Sequence, residues 1–242
     1  MAKSKNTRNA LTPLFRMSFP NLLEAKAFMR DGKPQGEPTF NLTGIFDIPD
    51  LKKFRVADPE NPDTLVESDI NLVVAQIAKA EWPDLEIKTA MAPTWPIKDG
   101  DLYAKRQEAK KKNGDAYKGK KLISMKASLE YPPTLYAVID GKKVTLNRAF
   151  EKDMQLAKGL FQGGHYAMAE VNLSPSTMKK GVNNETGQDI IEYYVTFFLN
   201  GIRFVKQGEK FGGQSLMNRF DGVDGGSSGH NPTKSLEDEI PV

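Results

Sequence analysis

The chain has 242 residues, 39% hydrophobic, 27% charged and 9% aromatic, the proportions of a globular protein long enough to bury a core without metals or disulfides. It has no cysteine, which excludes a disulfide framework, cysteine-based zinc and iron–sulfur sites and a thiol nucleophile, and fits a reducing compartment; its two histidines, His165 and His230, are too few and too distant for a histidine metal site. The formal net charge of +3 is unevenly divided: from Asp221 onward five carboxylates face only Lys234, a net of −4, so the first 220 residues carry +7, and Lys98–Lys126 alone holds ten cations against four anions.

In chain order, residues 1–10 are small, polar and basic, without the apolar run of a secretory leader, and are expected to be flexible. No stretch offers eighteen consecutive apolar residues, so the protein is expected to be neither secreted nor membrane-bound, but cytoplasmic. Thr12–Leu23 predicts a strand with Phe15, Met17 and Phe19 on one face and Leu14, Arg16 and Ser18 on the other, halted by Pro20. Pro38–Ile48 predicts a second, with Phe40, Leu42, Gly44 and Phe46 alternating with Thr39, Asn41, Thr43 and Ile45. Ile70, Val73, Val74, Ile77 and Ala78 recur at helical spacing, so a helix starts at an N-cap of Ser68 or Asp69 and stops before Pro83.

The segment from Pro93 to Lys121 is irregular, with a short helix in its middle interrupted at Asn113-Gly114. A strand near Leu122–Ala127 follows, then a hairpin about Asp140-Gly141, then strands at His165–Leu173 and Ile190–Val205, the last bent at Asn200-Gly201. Six or so strands, one definite helix and no βαβ alternation predict a mainly β protein, an OB-like small barrel with long insertions over residues 11–220. Residues 221–242 are expected to be a disordered Gly/Ser linker with an acidic tip.

The basic segment interleaves cations with rings. Lys98, Lys105, Arg106, Lys110, Lys111, Lys112, Lys118, Lys120 and Lys121 are candidates for phosphate contacts, with Arg16 and Arg148 extending the groove. Trp95, Tyr103, Tyr117 and Tyr136 are candidates for stacking on bases, packing inside the barrel being the alternative for each. Lysines with flat rings suit a single strand, whose base faces are open, better than a duplex. Asp99 and Asp101 form an Asp-x-Asp pair of the kind that can share a divalent ion, which defines the alternative reading of a metal-dependent DNA-processing nuclease. Against it, Asp99-Gly100 is a turn signal, no nearby His or Glu completes a site, and Lys98 and Lys105 neutralise the pair. Gly163-Gly164-His165 lacks the spacing of a phosphate-binding loop, and no catalytic triad or cofactor motif is present, so no enzyme activity and no cofactor are expected. At the C-terminus Glu237, Asp238 and Glu239 stand beside Ile240 and Val242, a charge suited to competing with nucleic acid for a basic groove and apolar residues suited to a protein partner.

The order FRMSFPNLLEAKAF, PTFNLTGIFDIPD, WPIKDGDLYA, YKGKKLISMKAS, GHYAMAEVNLSPST and VTFFLNGIRFVKQGEKFGG, followed by an acidic tail, resembles the OB-fold single-stranded DNA-binding proteins of tailed bacteriophages over residues 13 to about 213. The resemblance implies a barrel that coats single-stranded DNA in phage replication, recombination and repair. It also implies an acidic C-terminus that modulates DNA binding and contacts replication proteins such as a polymerase, helicase or primase. The oligomeric state, a homo-oligomer included, stays open at this level.

Overall fold

A computed structural model describes residues 6–30, 33–85, 95–139, 141–182 and 186–211. In chain order these form β1 (Arg8–Leu11), β2 (Phe15–Arg30), β3 (Lys33–Asp47), a 3-10 turn (Ile48–Lys52), β4 (Phe54–Ala57), β5 (Leu65–Ser68) and α1 (Ile70–Glu81). Then come β6 (Ile97–Asp99), α2 (Gly100–Ala109), a 3-10 turn (Asp115–Tyr117), β7 (Lys120–Ser128), β8 (Thr134–Ile139), β9 (Lys142–Leu146), α3 (Glu151–Leu160), β10 (Tyr166–Val182) and β11 (Asp189–Lys206).

Five of the strands close on themselves. β2 pairs antiparallel with β3, β3 with β7 and β11 with β10, which returns to β2, while β7 and β11 run parallel. A five-stranded ring with this order is an OB-type barrel. β1 widens its wall between β10 and β4, β4 pairs with β5, and the β8–β9 hairpin joins β11 through β8.

The interior follows from strand alternation. Phe15 and Met17 of β2, Phe40, Leu42 and Phe46 of β3, Ile123 and Met125 of β7, Val171 and Leu173 of β10, and Phe197 and Leu199 of β11 are all buried in one cluster. Each such side chain contributes about 1.5 to 3 kcal/mol of transfer free energy. Gly44 leaves room for two core side chains: a Cβ there would lie 2.6 Å from the Phe46 ring and 2.9 Å from Met125 Cε. α1 covers the barrel with Ile70, Val73, Val74 and Ile77, and Asp69 caps it by accepting from Asn71 N.

The mainly β barrel and the 70–81 helix are as the sequence predicts, and so is the hairpin, with Ile139 opposite Lys142 and Gly141 at φ +76°. The bend expected at Asn200-Gly201 is a register shift, Glu170 facing Gly201 and Val171 facing Leu199.

Pro20 does not halt its strand. β2 continues to Arg30 because a bulge absorbs the proline: Phe19 takes φ +48°, and the pairing with β3 jumps from Ser18 to Asn21. The bulge breaks the expected alternation, so Phe19 is 58% exposed while Ser18 is buried against Tyr117. α3 and the short strands β1, β4, β5 and β6 were not expected. The linker and tip, residues 221–242, lie outside the described residues.

Candidate nucleic-acid interface

The outward residues of β3 and β7 divide into two zones. At one end Ile45 and Leu122 are covered by Ala104 of α2 and by Tyr117, with Tyr103 and Phe211 packed around them. Tyr103 meets Tyr117 edge-on at 4.7 Å, Phe211 stacks on Tyr117 at 5.9 Å, and Ser18 Oγ lies 2.8 Å from the Tyr117 hydroxyl. At the other end Thr39, Asn41, Thr43, Ser124 and Lys126 have no such cover among the described residues and floor a cleft of about 780 Å3. One wall is the β2 side of the β2–β3 arm, with Asn21 and Lys26. The other is the β10–β11 arm, with Met178, Lys180, Glu192 and Tyr194; Pro96 and Lys98 complete the rim.

The register of the ladders aligns a polar row across this face. Asn21 pairs with Asn41, Asn41 with Lys126, Lys126 with Phe198 and Phe198 with Asn172. Asn21 Nδ2 donates to Asn41 Oδ1 at 3.1 Å, and Lys126 Nζ stands 5.8 Å from the centre of the Phe198 ring. The cleft therefore offers amide and hydroxyl groups, ring faces and four lysines against one carboxylate, Glu192, which Lys180 engages at 2.7 Å.

Two of these lysines are held away from water. Burial pushes the Lys126 ammonium below its ordinary value of 10.5, and it has no carboxylate partner among the described residues. Burial also lowers Lys98, with Glu192 opposing and the nearby Arg106 cation reinforcing the shift. A partly desolvated cation is costly unless an anion approaches it, so the cleft is electrostatically prepared for a negatively charged ligand. Tyr194, also in the cleft, has its hydroxyl raised by burial and by Glu192.

Of the residues singled out from sequence, Lys98 lines the cleft and Arg106 acts on it through space. Lys105, Lys110, Lys111 and Lys112 are exposed on α2 and the turn after it, outside the cleft lining. Lys118 bridges Glu108 and Asp115, Lys120 pairs with Asp47 and Lys121 with Asp99. Tyr103 is partly buried against Tyr117, and Tyr136 lies under Lys143 Nζ at 4.4 Å.

Four further candidates have structural partners. Trp95 and Tyr117, 7% and 5% exposed, pack into the core away from the cleft; Trp95 borders an apolar pocket beside α1, and its indole N–H is buried without an acceptor among the described residues. Arg16 donates to the carbonyls of Gly164 and Glu209 and lies 4.3 Å over Phe211, pinning the chain after β11 to the barrel. Gly164, at φ +100°, allows this crossing, since a Cβ would strike the Glu209 carbonyl. Arg148 donates to the carbonyls of Leu22, Leu23 and Pro133 and lies over Phe40, a structural role that leaves little for phosphate.

The Asp-x-Asp pair is likewise occupied. Asp99 caps α2 through Asp101 N and Leu102 N and holds Lys121, while Asp101 accepts from Gly119 N. The Lys121 hydrogen bond, ahead of the backbone ones, lowers the Asp99 carboxyl below its ordinary value. The tail residues Glu237, Asp238, Glu239, Ile240 and Val242 lie outside the described residues.

Missed from sequence were Asn21, Lys26, Asn41, Lys126, Lys180 and Tyr194. The available signal was the polar half of each strand's alternation, Thr39-Asn41-Thr43 and Ser124-Lys126.

No family model matches the sequence, and no curated protein does. Among solved structures, the single-stranded DNA-binding protein of bacteriophage Enc34 in complex with single-stranded DNA superposes at a TM-score of 0.51, with 17% identity, over 88% of this chain and 97% of that one. This chain has the fold of a phage single-stranded DNA-binding protein. The C-terminally truncated form of the Enc34 single-stranded DNA-binding protein aligns at 0.50 and 16% identity, over 87% of this chain and 95% of its own. The gp2.5 single-stranded DNA-binding protein of bacteriophage T7 aligns at 0.44 and 10%. Within the phage single-stranded DNA-binding fold, the cleft described above lies on the second and third barrel strands between two long hairpin arms, the face on which OB folds receive oligonucleotides. No helix among the described residues is long and apolar enough to cross a membrane.

Proposed function

We propose that the protein binds single-stranded DNA, largely independently of sequence and without catalysis, in the cleft between the β2–β3 and β10–β11 arms. The observation that carries this reading is Lys126: a half-buried cation without a carboxylate partner among the described residues, set beside an aromatic ring on the binding face of an OB barrel. Lys26, Lys98 and Lys180 take further phosphates, while Tyr194 and Phe198 offer faces for bases. The exposed lysines of α2 and its turn, Lys105, Lys110, Lys111 and Lys112, with Arg106, supply a wider attractive field. The cleft and its field suit a protein that coats single strands during phage DNA replication, recombination and repair in the bacterial host cytoplasm. Its acidic tip, Glu237–Glu239, competes with DNA, and Ile240 and Val242 meet replication proteins.

Labelled oligo-dT titrated against a duplex of equal length at several salt concentrations tests the proposal. The single strand binds more tightly, and log K falls with log salt at a slope of about −2 to −3, as expected for three to four lysines each neutralising one phosphate. Equal affinity for both forms, or binding that ignores salt, overturns it.

A further inference from the structure

Beside the cleft, between the end of α1 and the β11 arm, lies an apolar pocket of about 350 Å3, walled by Ala78, Trp82, Trp95, Ile191 and Tyr193. Pro96, Lys180, Glu192, Tyr194 and Val195 line both the pocket and the cleft, so the two adjoin along the β11 arm. We propose that this pocket receives one base of the bound strand, turned out of line from its neighbours. The inference rests on the single-strand reading of the cleft.

The volume is at the small end of the range for ligand pockets, about 300 to 1,000 Å3, and suits a single flat ring system. Trp82 and Tyr193 meet edge to face at 5.3 Å, giving the pocket aromatic walls, and its charged residues, Lys180 and Glu192, stand on the rim shared with the cleft. That division of charge and ring matches one nucleotide: the phosphate stays beside Lys180 and the base leaves water for an apolar wall. A base in a single strand is free to leave its neighbours at low cost, since no pairing has to be broken. The other candidate occupant is the apolar part of the chain's own tip, Ile240 and Val242; the rim shared with the cleft, and with it Lys180, favours the base.

The chain's only two tryptophans, Trp82 and Trp95, both line this pocket, so their fluorescence reports its occupancy. The full-length chain is titrated with labelled oligo-dT and with an abasic strand of equal length, binding being followed by anisotropy of the label and pocket occupancy by tryptophan emission. Saturating oligo-dT is expected to quench the emission by about half or more, and the bound abasic strand by less than about a tenth. Ala78→Phe, which fills the pocket from an incompletely buried helix position, is expected to abolish the quench while weakening oligo-dT binding by no more than about tenfold. Equal quenching by the abasic strand, an unchanged quench in A78F, or a response to a Leu236–Val242 peptide but not to oligo-dT overturns the proposal. No anisotropy change with any strand overturns the single-strand reading and this proposal with it.

Discussion

Lys126 and Arg148 are both half-buried cations near the barrel strands, and their surroundings give them opposite roles. Arg148 directs its guanidinium to three backbone carbonyls, at 2.8, 2.9 and 3.4 Å, and covers the Phe40 ring. Arg148→Ala therefore leaves buried acceptors unmet and is expected to cost about 2 to 4 kcal/mol in urea unfolding. Arg148→Lys recovers little, because an ammonium cannot reproduce the fork. Lys126 has no such partners among the described residues, so Lys126→Met is expected to leave stability at neutral pH unchanged or higher while weakening oligo-dT binding and reducing the salt slope by about 0.7. The pH dependence has a definite sign. The folded-state pKa of Lys126 lies below 10.5, so the unfolded chain holds this proton more tightly, and its contribution to stability rises as pH climbs toward 10.5. DNA affinity moves the other way, falling as the ammonium is lost below the ordinary lysine range, and that fall is smaller in Lys126→Met.

Elements with a clean period were legible in the sequence. β3 alternates over Thr39–Thr43 and β7 over Ile123–Ala127, α1 places Ile70, Val73, Val74 and Ile77 on one face, and the β8–β9 turn carries its glycine. β2 was legible only up to Ser18, because a bulge at a proline and two further register shifts, after Asn21 and after Lys26, break the alternation and no local pattern announces them. α3 was hidden by a polar composition and by Phe150 at its N-cap, which offers no capping side chain; β1, β4 and β5 have four residues each, too few to show a period. α2 depends on Asp99, whose carboxylate caps two amides and holds Lys121. Asp99→Ala is expected to lower stability by about 1 to 2 kcal/mol in thermal unfolding, with protection lost first in the amides of Gly100–Ala109. Because the Asp99 carboxyl is held below its ordinary value of 3.8, its contribution is present above that pH and is lost as acidification passes through the lower folded value.

At the scale of the molecule, the candidate site was less legible than the fold for a topological reason. Counting charge along the chain draws attention to Lys98–Lys126, where lysines are dense, yet Lys118, Lys120 and Lys121 are engaged with carboxylates and Tyr117 lies in the core. The cleft collects Lys26, Lys98, Lys126 and Lys180, residues from four separate segments that only the closure of the barrel brings together. The division of charge between a body of +7 and a C-terminal −4 was visible from sequence, and competition between tip and DNA is the part of the proposed function that rests on it. Deleting residues 221–242 is expected to tighten oligo-dT binding several-fold at about 50 mM salt and by much less at about 500 mM, where exposed charges are screened; equal effects at both salts would remove the tip from the cleft.

The central claim is that the cleft, not the densest run of lysines, holds the single strand. It is tested most directly by comparing oligo-dT affinity at one salt concentration for two full-length variants, Lys26→Gln with Lys126→Gln and the triple Lys110→Gln, Lys111→Gln, Lys112→Gln. The cleft variant, though it removes fewer charges, is expected to bind about tenfold or more weakly, and the triple variant to stay within about threefold of the parent. A large loss in the triple variant with a nearly unaffected cleft variant would contradict the account.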